Sequence, residues 1–176
     1  MKKILVISLL FMVCQPALSQ QAASNSGWDS LKFLLGKWVG EGTSEVGEGS
    51  GYFTFEASLN GKALVRKNRA EYPATKDRPK VVHEVLMVVY LDSATKQPRA
   101  FYTDSEGNVI NYTVSSNGKT VVFLSDAQTV GPRYRLTYIL TQPEKMSLTF
   151  EVAPPDKPDQ FKQFIEGKVR KVSSAS

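Results

Sequence analysis

The chain of 176 residues holds one cysteine and one histidine, and these shortages narrow its chemistry before any motif is read. A single thiol cannot close an internal disulfide, and one Cys with one His cannot fill a zinc site of the Cys/His kind or spare a Cys–His nucleophilic pair. No apolar run approaches the length needed to span a bilayer as a helix. Charge of one sign is also missing: 22 Lys and Arg stand against 17 Asp and Glu. Pairs such as Lys67/Arg69 and Arg133/Arg135 are too modest for the basic stripe with stacking aromatics that a nucleic-acid partner requires. What is present is an even spread of aromatic and β-branched residues within a 41% hydrophobic composition. That argues against disorder and for one domain, burying ~two-thirds of its unfolded surface.

The first residues read as an address. Lys2 and Lys3 precede an apolar run over 4–13, Pro16 breaks it, and Ala17-Leu18-Ser19 supplies small residues where a signal peptidase reads. The expectation is a bacterial-type signal peptide over 1–19, cleaved after Ser19, with a polar lead over 20–27 and a barrel domain over 28–173. Its loss would leave 20 basic against 17 acidic residues and no thiol, a composition suited to the periplasm or the outside. Lipidation of Cys14 is disfavoured by Phe11-Met12-Val13 before it, where a small residue belongs. The mature chain is expected to contain no transmembrane segment.

One helical turn is expected, over 28–35, with Leu31, Leu34 and Leu35 on one side, Asp29 or Ser30 as cap, and Gly36 as its stop. After it the pattern alternates with period two. The runs are 38–44, 51–59, 62–72, 81–92, 97–104, 108–115, 119–125, 133–140, 146–152 and 161–171. Tight turns at Asn60-Gly61, Ser105-Glu106-Gly107 and Ser116-Asn117-Gly118 join some of them, and Asn-Gly supplies the positive φ of a short hairpin. Short connections make neighbours antiparallel. About ten strands in sequence must curl to avoid two open edges, so the expected fold is all-β: an antiparallel up-and-down barrel. A two-sheet sandwich ranks second, because it needs longer connections.

Within 51–59 the odd positions are apolar and the even ones polar, whereas 81–90 is largely apolar on both faces. The outer side of that strand therefore calls for a cover, either the 28–35 turn or a partner chain. A barrel of this size is filled by side chains or encloses one small ligand. By side-chain type, Arg66, Asn68, His83, Tyr102, Asn111 and Tyr138 are the candidates to orient a ligand among apolar walls.

The segment Phe33-Leu34-Leu35-Gly36-Lys37-Trp38-Val39-Gly40-Glu41-Gly42 resembles the opening of the calycin barrels, the lipocalins and their relatives. There a short helix leads into Gly-x-Trp on the first strand. The Leu-Leu-Gly-x-Trp-x-Gly-Glu-Gly pattern is most similar to the nitrobindin and fatty-acid-binding-like branch and to secreted bacterial proteins related to it. The resemblance implies that Gly36 and Trp38 close the barrel base and that Arg170, in Gly167-Lys168-Val169-Arg170-Lys171, stacks on the indole. It also raises haem as a cofactor. The chain departs from that branch where the iron ligand is expected, since Phe161–Glu166 contains no imidazole. Ligation would fall to His83 or to Tyr102, Tyr112 or Tyr138.

Enzyme motifs are missing. Ser50 has Glu48 and Tyr52 where a nucleophile elbow needs glycines, Gly40-Glu41-Gly42 and Gly47-Glu48-Gly49 precede no helix that would hold a phosphate, and Asp104 and Glu106 flank a hairpin tip where acids are ordinarily solvated. Three readings are carried forward. The first is an exported barrel binding a small hydrophobic or amphipathic molecule. The second is a haem protein with changed ligation, and the third is a filled barrel that binds a partner or another copy through the doubly apolar strand.

Overall fold

In the computed structural model the described residues are 28–41, 50–128 and 130–172. The expected leader with its cleavage site and Cys14, the polar lead and the end of the first predicted strand lie outside them. Ten strands follow one short helix. They are β1 (Gly36–Glu41), β2 (Ser50–Ser58), β3 (Ala63–Tyr72), β4 (Val81–Leu91), β5 (Pro98–Asp104), β6 (Val109–Ser116), β7 (Thr120–Ser125), β8 (Arg133–Gln142), β9 (Lys145–Ala153) and β10 (Lys162–Val172). Each pairs antiparallel with the next, and β1 pairs with β10, so the up-and-down sheet closes into a barrel with no free edge.

Local chemistry explains the connections, with two adjustments to the sequence reading. The Asn60-Gly61 turn is four residues long rather than two: Ser58 pairs with Ala63, and Leu59, Asn60 and Gly61 all have positive φ. Leu59, expected in the strand, is therefore part of the turn. A further hairpin at Pro143-Glu144 joins β8 to β9, with Gln142 opposite Lys145 and Glu144 at φ 62°.

The helix is a 3-10 helix, Asp29–Leu34, with Trp28 rather than Asp29 or Ser30 at its N-cap. Gly36 is not its stop but the first residue of β1, at φ +113°. The helix also does not cover the outside of β4. Its Leu31 and Leu34 are fully buried in the barrel core, the Leu34 carbonyl accepts a 2.7 Å hydrogen bond from Trp38 Nε1, and the Ser30 carbonyl accepts one from Ser116 Oγ. Trp38 and Ser116 belong to strands on opposite sides of a ten-strand ring, so the helix crosses the end of the barrel as a plug. The outer side of β4 stays half-open, with Leu86 and Tyr90 beside Phe101 of β5 all partly exposed. No helix among the described residues is long and apolar enough to cross a membrane.

At the plugged end, Trp38, Phe55, Met87, Val89, Val121 and Phe123 are buried against one another. Each such side chain stabilises the fold by ~1.5–3 kcal/mol over leaving it in water. Trp38 lies in register with Phe53 on one side and Lys171 on the other. Paired residues in an antiparallel ladder share a face, so Lys171 points inward and its neighbour Arg170, opposite Val39, points out. The cation over the indole is accordingly Lys171, with Nζ 5.8 Å from the ring centroid; Arg170 is exposed. The expectation of an Arg170 stack is corrected by this register. Gly36 completes the closure, because a Cβ there would overlap the Lys171 stem as it crosses toward Trp38.

Candidate functional site

Strand pleat selects the residues that face inward above the plugged end. On β3 these are Arg66, Asn68 and Ala70; on β4, His83 and Val85; on β5, Tyr102; on β6, Ile110 and Tyr112. The side chains on these positions do not meet at the barrel axis. They leave an inner chamber of about 240 Å³, walled by Phe53, Tyr112, Leu136, Tyr138, Leu148 and Phe150 among others. The chamber opens to a mouth of about 430 Å³ where β3, β4, β8, β9 and β10 reach their open ends, at Tyr72, Val81, Tyr134, Phe150 and Ile165.

Five of the six sequence candidates line this chamber: Arg66, Asn68, His83, Tyr102 and Tyr138. Asn111 does not. It is exposed and pairs with Phe101 on the outer face, because its neighbours Ile110 and Tyr112 take the inward positions of β6. Residue type alone nominated it, and the alternation Ile110-x-Tyr112-x-Val114 was the signal that pointed the other way. The same alternation identifies Tyr112, considered before only as an iron ligand, as a chamber wall. Its ring packs edge-on to Tyr102 at 6.2 Å and to Phe123 at 6.2 Å.

Arg66 is the polar centre. It is 8% exposed, its Nη2 donates a 3.3 Å hydrogen bond to Asn68 Oδ1, and its guanidinium lies 5.3 Å from the Phe53 ring centroid. Among the described residues its Nε has no hydrogen-bond partner, and neither has the buried Tyr138 hydroxyl. Among the described residues no Asp or Glu lines the inner chamber. The contrast with the outside is sharp: Arg69 bonds Glu71 and Glu84, Arg99 bonds Asp126, Arg133 bonds Asp159, and Arg135 grips Glu151 through two 2.6 Å hydrogen bonds. Among the described residues the most buried arginine has no counter-charge.

Three phenols surround it. Burial pushes the Tyr138 hydroxyl up, with the Arg66 charge opposing the shift only partly. Burial likewise raises Tyr112, and burial followed by its hydrogen bond to Asp104 raises Tyr102. All three are neutral hydrogen-bond donors throughout the physiological range.

At the mouth, His83 Nδ1 lies 2.7 Å from Glu106 Oε2, and the ligand atoms of His83, Asp104 and Glu106 fall within 4.8 Å of one another. Asp104 is engaged by its own turn. It accepts hydrogen bonds from the Tyr102 hydroxyl, the Asn108 amide side chain and the Asn108 and Glu106 backbone. Burial pushes its carboxyl up, but those donors outweigh burial and hold it below the usual range. The trio therefore locks the β5–β6 hairpin against β4 and frames the entrance.

The chamber can take up a compact apolar body and offer a cation and phenolic donors to one polar end. Compared with models of known protein families and with curated protein sequences, the chain matches none.

Proposed function

We propose that this protein is an exported binding barrel that takes a small amphipathic molecule into its interior. The carrying observation is the chamber itself: one end of the barrel is packed solid and plugged, while the other holds an apolar-walled space of about 240 Å³ that opens to solvent. Apolar burial, at ~25 cal/mol per Å², supplies the affinity, and Arg66 with its neighbouring phenols orients the polar end. The signal-peptide pattern of residues 1–19 and the calycin-like Gly36-x-Trp38 opening support export and a carrier role. Titration of the purified protein with the neutral apolar fluorophore N-phenyl-1-naphthylamine tests the reading. Saturable fluorescence enhancement is expected in the wild type, and its loss in Ile110→Trp, which fills the chamber. Enhancement that survives Ile110→Trp puts the dye elsewhere and removes the interior site.

A second reading is haem binding at the mouth. It is favoured by the His83–Glu106 contact, since metal-bound imidazoles are typically held by a carboxylate on the other ring nitrogen. The inner chamber is too small for the macrocycle, and its phenols are kept protonated by burial where tyrosine ligation of iron needs the phenolate. Hemin titration decides: a saturable absorption band that shifts in His83→Ala supports ligation by His83, and no saturation removes the haem reading.

A further inference from the structure

Resting on the binding-barrel reading, we infer that the chamber selects a compact aromatic monocarboxylate, with its carboxylate on Arg66 and its ring among the phenol and phenyl side chains above the plug. Three observations lead there.

The first is charge. A guanidinium 8% exposed that has, among the described residues, an unpartnered Nε and no carboxylate along the inner wall is an unfavourable arrangement for the empty protein. Taking an ion out of water costs several kcal/mol unless a counter-ion and hydrogen bonds replace the lost solvation. An incoming carboxylate supplies both, and Arg offers it two parallel N–H donors. The Tyr138 hydroxyl, buried and without a partner, is a further donor beside it. The inner wall carries one fixed positive charge, its other basic residue being His83 at the entrance. One guanidinium balances one negative charge, so a monoanion suits it better than a dianionic phosphate monoester.

The second is size. A space of about 240 Å³ suits a single ring with a short acid arm. A long acyl chain would have to run out through the mouth.

The third is wall chemistry. Phe53, Tyr72, Tyr102, Tyr112, Tyr138 and Phe150 all face the space; Tyr102 and Tyr112 already meet edge-to-face, and Phe53 meets Tyr138 at a tilt. A ring entering among them continues that packing, whereas a flexible chain gains only area.

The experiment is calorimetric titration of the purified protein with phenylacetate, its neutral counterpart 2-phenylethanol, decanoate and phenyl phosphate. Phenylacetate is expected to bind ~10- to 100-fold more tightly than 2-phenylethanol, the scale of a charge-assisted hydrogen bond, and more tightly than decanoate or phenyl phosphate. Arg66→Met should abolish the preference for the acid while 2-phenylethanol still binds. Tyr138→Phe, which removes a hydroxyl and changes no packing volume, should weaken phenylacetate and spare 2-phenylethanol, so the test stands even where Arg66→Met fails to fold. Equal affinity for phenylacetate and 2-phenylethanol overturns the monocarboxylate inference and leaves the binding barrel intact. Tighter binding of decanoate or phenyl phosphate overturns the ring or the single charge. Binding of none of the four, together with no uptake of N-phenyl-1-naphthylamine, overturns the binding-barrel reading as well.

Discussion

Toward the end crossed by the 3-10 helix, the barrel interior is filled: Trp38, Phe55, Met87 and Phe123 are in contact, and Leu31 and Leu34 press in from the plug. Toward the other end the same strands carry Arg66, Asn68, His83 and Tyr102 on their inward positions, and the centre is open. The same ten strands run through both halves, with register shifts at Gln163/Ile165 and Leu140/Gln142, so the difference lies chiefly in side chains. In the lower half, burial is repaid by packing. In the upper half the Arg66 Nε and the Tyr138 hydroxyl are buried with no hydrogen-bond partner among the described residues, which lowers stability. Packing and ion pairing are thus both weaker in one region, while most of the surface arginines are paired.

Mutations should respond with opposite signs in the two halves. The largest effect is expected at the base: Trp38→Ala should destabilise the fold by ~3–5 kcal/mol, because it removes a large buried aromatic ring and leaves a cavity. A denaturation midpoint equal to wild type would show that the base does not depend on the indole. Above it, Arg66→Met should instead stabilise the unliganded protein, by ~1–4 kcal/mol, as buried ionic groups replaced by apolar ones of similar volume often do. A lowered midpoint would mean that Arg66 packs as the base residues do and that the contrast between the halves fails.

Gly36→Ala should cost ~1–3 kcal/mol, since φ +113° is strained for any residue with a Cβ and the methyl meets the Lys171 stem. An undiminished melting temperature would show that β1 can start without its glycine. The smallest effect is expected on the outer wall. The Arg135 guanidinium holds the Glu151 carboxyl below its ordinary value near 4.5. A lowered native value means that the pair's contribution is complete above pH 4.5 and is lost as pH falls through the native value. For a partly exposed pair it amounts to ~0–1 kcal/mol. Glu151→Gln should lower stability by that amount above pH 4.5 and leave it unchanged well below the native value, and an equal loss at both ends of the pH range would contradict the assignment.

Much of this architecture was readable in the chain. Period-two alternation and the Asn-Gly and Ser-Asn-Gly turns marked ten strands in the order observed, with ends displaced by one or two residues. Five of the six polar candidates, all but Asn111, line the chamber. The failures share a cause. Asn111 and Arg170 each stand one position from the inward residue, and side-chain direction in a strand reverses at every step. Type cannot distinguish Arg170 from Lys171, both long and cationic; the pairing of Trp38 with Lys171 can. The covering role considered for the 28–35 turn failed for a similar reason, since its leucine spacing marks an apolar face without saying which apolar surface receives it.

Strand number, antiparallel order and closure thus follow from local pattern and loop length, which act between neighbours in sequence. The side of the sheet to which Arg170 and Lys171 point, and the setting of Arg66 in a wall that carries no carboxylate among the described residues, come from the β1–β10 seam and the ring it closes. Those contacts join residues more than a hundred positions apart, and no local preference encodes their register.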